Sequence, residues 1–298
     1  MTSRHRIVVS LENKADHAWQ AKLFHFSCIT RINHHATFIV HENRSAWHAD
    51  FADLVRAGAI VRKAPSYFTP GTAPTRNFPG TLICAAPLCA PDELIVLCDP
   101  DMIFVGKPEF SRDFSGTYCS YMDYDQPPVH AAAKRLGIQL ELLRAQQEQV
   151  RCGVPYVIPA DRAERLGEKW LTAFDAFSTK GRDWNDVWLD VMYAFGLAVI
   201  RLGWTLTLAD LVNMDHPAGA ILEREIIHYC HGEPAWNKRW YLSPEEAPKV
   251  WDPPFKPAEG TVLCELFSQL RQARNFYRNP YFEGGDGRSK ELARLKST

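Results

Sequence analysis

The residues best placed to do chemistry stand where an apolar run stops. Positions 93–108 read E-L-I-V-L-C-D-P-D-M-I-F-V-G-K-P. Leu94 to Cys98 has the β-branched and aliphatic content of a buried strand, and it ends in Asp99-Pro100-Asp101. In extended backbone, residues two apart project to the same side, so the two carboxylates converge on one point while Pro100 stiffens the turn. Such a pair can hold a divalent cation. It can equally be a strand cap, because Asp and Pro are common turn residues.

Two later stretches bear on the choice. A helix expected from Asp183 to Leu202 places Trp184, Val187, Trp188, Val191 and Phe195 on one side and Asp186 and Asp190, four apart, on the other with Tyr193 nearby. Those acids make either a solvated face or the wall of an active site. The second stretch is H-Y-C-H-G-E-P-A-W-N-K-R-W, His228 to Trp240. Here Gly232 lets the backbone turn closely, so the loop can bring an imidazole to a metal and Lys238 to a phosphate. The competing reading is two surface histidines and a tryptophan that packs the loop down. The other histidines, His34 and His35 included, are read as structural or surface residues.

No G-x-x-x-x-G-K-[ST], G-x-G-x-x-G or G-x-S-x-G sequence occurs, so a P-loop, a dinucleotide fingerprint and a nucleophile elbow are unsupported. With 298 residues the chain can bury a sizeable core, and 46% hydrophobic with 23% charged residues is ordinary for a globular protein. A formal net charge of -1 gives no electrostatic case for nucleic acid or an anionic membrane. The most apolar later stretch, Val191 to Ile200, falls short of the ~20 residues of a membrane span. Eight cysteines without a C-x-x-C pair read as reduced core residues. With no signal-type segment behind the basic start, a cytoplasmic setting is expected.

The elements that must position these residues alternate. Strands are expected at Arg6–Leu11, Ala36–His41 and Ala59–Arg62, with helices at His17–Thr30 and Ala46–Ala57 between them. That is the signature of an α/β protein with a mostly parallel sheet flanked by helices. A Pro, Thr and Gly-rich loop spans 64–79, followed by a short helix at 80–90. Beyond Asp101 come a strand at 115–122, one helical region over 129–150, a strand at Cys152–Pro159, a helix at 161–177 and a strand at 226–230. After Trp240 the chain is proline-rich, then offers an amphipathic helix at Val262–Tyr277 and a charged tail.

Taken together, the stretches resemble a GT-A glycosyltransferase and, more narrowly, the plant hydroxyproline O-arabinosyltransferase and peptidyl-serine O-galactosyltransferase group. The narrower resemblance rests on A-W-Q-A-K-L-F-H-F at 18–26, R-N-F-P at 76–79, D-P-D-M-I-F-V-G-K-P at 99–108, G-V-P-Y-V-I at 153–158, W-L-D-V-M-Y-A-F at 188–195 and H-Y-C-H-G at 228–232. These occur in the family's order, patchily over residues 6 to 241. The resemblance implies one Rossmann-like GT-A domain over 1–241, with 242–298 packed on it as a helical extension.

It also implies a nucleoside-diphosphate sugar donor, most simply a UDP-sugar, with Mn²⁺ or Mg²⁺ bridging its diphosphate and retention of configuration. Asp99 and Asp101 fall on the acidic metal motif, Asp99 also facing the donor, and His228 on the histidine that completes the metal shell. Ser10 to Asn13, with Ser10 and Glu12, fall where such proteins hold base and ribose. Asn77 falls in a stretch that faces the donor, while Gly232 and Lys238 lie by the phosphates. Asp186 or Asp190 would steady the sugar or orient the acceptor, a hydroxyl-bearing peptide or small molecule; an inverting enzyme would instead use one of them as general base.

The plant enzymes often have Glu at the Asp99 position, and their spacing around the helix acids differs by one residue. They also carry an N-terminal anchor, which is not expected here, so a hydroxyproline peptide is not implied. The alternatives are a nucleotidyltransferase, a nucleotide-sugar hydrolase and a non-catalytic binding module of the same fold. The turn E-N-K-A-D after the first strand lacks the glycine-rich, basic character that a nucleotidyltransferase needs. Tyr67, Phe68, Trp236 and Trp240 are candidate stacking surfaces for a sugar or peptide, or ordinary packing.

Overall fold

The computed structural model describes residues 4–42, 48–68, 73–177, 187–214, 222–230 and 236–278. Strand, helix, strand repeats twice at the start: β1 (His5–Glu12), α1 (Ala15–Ser27), β2 (Thr37–His41), α2 (Asp50–Arg56) and β3 (Ile60–Ala64). Next come α3 (Asn77–Ala85), β4 (Leu94–Cys98), β5 (Met102–Phe104), β6 (Ser115–Tyr118), α4 (Pro127–Arg135) and α5 (Leu140–Gln146). The chain continues through β7 (Cys152–Pro159), α6 (Ala160–Asp175), α7 (Asp190–Leu202), β8 (Thr207–Ala209), β9 (Val212–Met214), β10 (Ile226–His228) and α8 (Val262–Arg278).

Seven strands form one sheet in the order β3-β2-β1-β4-β7-β6-β8. From β3 to β4 all neighbours are parallel, and β8 is parallel to β6. β7 runs antiparallel to both β4 and β6. The expected α/β architecture, a mostly parallel sheet flanked by helices, is therefore what the chain forms. Its central strands are buried on both sides, which is why they read as unbroken apolar runs. Alternation then divides them: Val8, Ile39, Ile95 and Leu97 pack with residues of α3, α6 and α7, whereas Ile7, Val9, Phe38, Val40 and Val96 pack with α1 and α2.

The order of connection places the site. β1, β2 and β3 march one way along the sheet, and the chain then returns through α3 to lay β4 on the other side of β1. The helices on either side of that reversal leave a crevice at the carboxyl ends of β1 and β4, the usual ligand position in such sheets. Asp99-Pro100-Asp101 leaves β4 at that place.

Several expected boundaries shift. The single helical region over 129–150 is two helices, α4 and α5, interrupted near Gly137, whose φ of +73° suits glycine. The helix expected at 80–90 begins earlier, at Asn77, since Pro79 is tolerated in a first turn. β8 and β9, three residues each, were not expected. A second sheet, β5-β10-β9, stands beside the first. Against it and α1 packs α8, held by a Gln269 Nε2 bond to the Phe104 carbonyl at 2.8 Å and an Arg31–Glu265 pair at 2.7 Å. No helix among the described residues is long and apolar enough to cross a membrane.

Candidate functional site

The corner after β4 is completed from far along the chain. β10 pairs antiparallel with β5, setting His228 opposite Met102, and the Tyr229 N–H donates to the Asp101 carbonyl at 3.0 Å. His228 Nε2 then lies 3.4 Å from an Asp99 oxygen and 3.3 Å from an Asp101 oxygen. Lys238, 137 positions from Asp101, pairs with the other Asp101 oxygen. The turn that delivers Lys238 is anchored by Trp236, 1% exposed among Tyr229, Tyr241 and Phe267.

Burial and mutual charge set the ionisation of this group. Burial pushes the Asp101 carboxyl up, but the Lys238 ammonium and the His228 ring together outweigh it and hold it well below the usual range. Asp99 goes the other way, raised by burial and by the negative charge of Asp101 despite the imidazole. His228 loses basicity to burial and regains more from Asp101 and Asp99, reaching about 10. Lys238 is likewise raised, the Asp101 charge exceeding the desolvation.

Two carboxylates and one imidazole with ligand atoms all within 4.8 Å of one another are a fitting donor set for a divalent cation. Among the described residues this is the group of that kind. Filling it requires the imidazole to give up its proton, as metal binding generally does.

The group stands at one end of a cleft of about 680 Å³. Beyond it the walls come from Thr75 and Phe78 at the start of α3, Thr117 to Tyr121 after β6, Gly153 to Tyr156 of β7, Trp170 of α6, and Trp188, Val191 and Met192 at the start of α7. Arg239, next to Lys238 in the chain, also lines it, as does Asp210 after β8, whose Ala209 pairs with Thr117 of β6.

The other expected site residues fall elsewhere. Ser10 is 6% exposed and shares a 2.8 Å hydrogen bond with Thr81, which in turn meets His41 Nε2 at 2.7 Å. The Glu12 side chain pairs with Lys14 at 3.1 Å. Asn77, 3% exposed, accepts the backbone N–H groups of Tyr67 at 2.8 Å and Phe68 at 3.2 Å, so its carboxamide ties down the loop before α3 and does not line the cleft. Asp186 and Gly232 lie outside the described residues.

The reading of a polar face on the later helix is corrected. α7 is buried nearly all round, and Asp190, in its first turn, is 1% exposed and does not line the cleft. Packing of α6 and the β7 side against α7 leaves no solvent-facing side there for an acid. Among the proposed stacking rings, Trp236 is core, while Trp240 and Phe68 are exposed but do not line the cleft.

One residue escaped the sequence reading. His17, in the first turn of α1, accepts the Glu12 N–H on Nδ1 at 2.8 Å, which places the proton of the neutral ring on Nε2. Burial holds its pKa well below the ordinary value, reinforced by Lys14 and opposed by Asp101. A histidine after a polar turn carries no sequence signal of this.

No protein-family model matches the chain, and no curated protein matches it. Solved structures similar to it include the bifunctional glycosyltransferase WbbM without ligand, at 12% identity and a TM-score of 0.49 over 100% of this chain and 52% of that one. Another is the galactosyltransferase LgtC with donor and acceptor sugar analogues, at 12% identity and a TM-score of 0.49 over 95% of this chain and 99% of that one. An active-site mutant of LgtC gives the same identity and TM-score over 90% and 95%. This chain thus spans about half of the first structure and nearly all of the second.

Proposed function

We propose that the chain is a metal-dependent glycosyltransferase of GT-A type, moving a sugar from a nucleoside diphosphate, most simply UDP, to a hydroxyl acceptor with retention of configuration. The observation that carries this reading is the Asp99–Asp101–His228 group with Lys238 beside it, at the switch point of a parallel sheet and at one end of a large cleft.

Glycosyl transfer breaks the bond between the anomeric carbon and a diphosphate oxygen, and the electron pair leaves with that oxygen. Groups that meet the growing negative charge lower the barrier. Asp99, Asp101 and His228 would hold Mn²⁺ or Mg²⁺, which when bound supplies positive charge opposite the diphosphate. Lys238 offers a second positive charge at the same place, its ammonium passing from Asp101 toward phosphate oxygens. His17, as a neutral Nε2–H donor at the carboxyl end of β1, is suited to an oxygen of the nucleotide. Ser10 and Asn77 act in support: one is hydrogen-bonded beneath the crevice, the other fixes the loop at its edge. Asp190 supports the start of α7 from within the core.

The test is the thermal midpoint of the purified protein with UDP, GDP, CDP and ADP, each with Mn²⁺ or with chelator. A ligand at about 100 times its dissociation constant adds roughly 2.7 kcal/mol, about 5 °C or more for a chain of this size. The expected result is a shift with one nucleotide that disappears on chelation. A shift independent of metal, or none with any nucleotide, would refute the proposal.

A further inference from the structure

The cleft is chemically divided. Of its charged lining residues, Asp99, Asp101, His228, Lys238 and Arg239 belong to the metal end, whereas Asp210 follows β8, whose Ala209 pairs with Thr117 of β6. The other half, over β6, β7 and the start of α7, carries Asp210 as its charged side chain among the described lining residues, and that carboxylate is paired with Arg224 at 2.5 Å. Its surface is made by Phe78, Trp188, Val191 and Met192 over a buried floor of Tyr156 and Trp170. Those floor rings pack edge to face at 5.6 Å, and Trp170 spends its N–H on the Val191 carbonyl at 2.7 Å. The Tyr121 hydroxyl reaches Met192 Sδ at 3.8 Å, linking the β6 wall to the α7 wall.

Two polar atoms in this half are buried without a hydrogen-bond partner: Thr75 Oγ1 and Thr117 Oγ1. Thr117 is 7% exposed on β6, so its hydroxyl is a built feature of the wall. Buried polar groups are nearly always satisfied, and such an exception calls for a ligand or a water.

We infer that this half of the cleft binds an uncharged phenol as the hydroxyl acceptor, its ring between the α7 wall and the β6 wall and its polar substituents on Thr117 and Thr75. The inference rests on the glycosyltransferase reading of the metal end. A flat apolar ring matches the aromatic and aliphatic lining. The chemistry agrees. The carboxylate on this side, Asp210, is held by Arg224, and a phenol, with a pKa near about 10, gives up its proton more readily than an alkyl alcohol. In the transfer the phenol oxygen bonds to the anomeric carbon, the bond from that carbon to the diphosphate oxygen breaks, and the phenol proton passes to the departing diphosphate.

The test is calorimetric titration of the whole chain with 4-ethylphenol, methyl β-galactopyranoside and N-acetylserinamide, with and without UDP and Mn²⁺. Expected are binding of 4-ethylphenol in preference to the other two with a negative heat-capacity change, loss of about tenfold in affinity in Thr117→Val, and recovery in Thr117→Ser. Binding of UDP and Mn²⁺ should be unaltered in both variants, which also reports that they fold. Tighter binding of the sugar or serine probe, no heat with the phenol, or a Thr117→Val protein that binds it like wild type would overturn the inference. Phenol binding without UDP binding would instead refute the donor-site reading and leave the aromatic subsite standing.

Discussion

Replacing Asp101 by Asn removes one negative charge from a site where it faces two positive ones. The Asp101 side chain is 9% exposed, with His228 Nε2 at 3.3 Å on one oxygen and Lys238 on the other. Those partners are themselves 14% and 17% exposed, so the substitution strands both with little water to replace the carboxylate. Removing one partner of a buried pair costs about 3–5 kcal/mol, and the residual exposure sets the expectation near ~3 kcal/mol. For a chain of this length that is a fall of roughly 6–12 °C in midpoint. Lys238→Met alone should cost less, because His228 still faces Asp101. The decisive quantity is the double variant: removing both members of the pair should be less damaging than the sum of the single changes by about 1–3 kcal/mol. Urea unfolding followed by far-ultraviolet circular dichroism, in chelator so that no metal contributes, measures all four proteins. Additivity within about 0.5 kcal/mol would show that the two side chains do not interact, and the charge argument for the site would fail. In transfer assays with Mn²⁺ the Asp101→Asn protein should lose more than about 100-fold in rate.

Two more predictions concern the surroundings. His41 is buried, its Nδ1–H donates to the Pro65 carbonyl at 2.8 Å, and burial lowers its pKa below the ordinary 6.5. Its folded state therefore binds fewer protons than the unfolded chain just below pH 6.5. The stability it contributes is complete above that pH and declines as pH falls, by up to about 1.4 kcal/mol per pH unit, and His41→Gln should flatten that limb of the urea midpoint against pH. Trp236→Ala should cost about 3–5 kcal/mol by opening a core cavity. Because Trp236 anchors the turn bearing Lys238, the same change should weaken metal-dependent nucleotide binding in a thermal-shift titration; unchanged binding would argue against that anchoring role.

The acidic corner was legible because it is local: strand, Pro and two acids lie within eight residues, and β4 and β7 have the boundaries their apolar runs predict. α7 was misread because its periodicity does not say what packs on its far side. Its small and apolar residues are buried nearly all round, and Asp190 goes inside with them. Asn77 is expected from the resemblance to face the donor, and no local pattern tells that its carboxamide oxygen accepts backbone N–H groups of a loop about ten residues earlier.

By itself, then, the sequence determined the α/β alternation, the parallel half of the sheet and the pair of acids at a strand end. Each of these follows from the period of side-chain burial along a short segment and from the turn chemistry of a few adjacent residues. Only the tertiary structure decided that β10 lies against β5 so that His228 meets both acids, that Lys238 reaches Asp101, that His17 carries its proton on Nε2, and that one half of the cleft is lined by aromatic rings. Those facts depend on contacts between residues far apart in the chain. Their partners are chosen by the joint packing of whole elements, for which no local pattern exists.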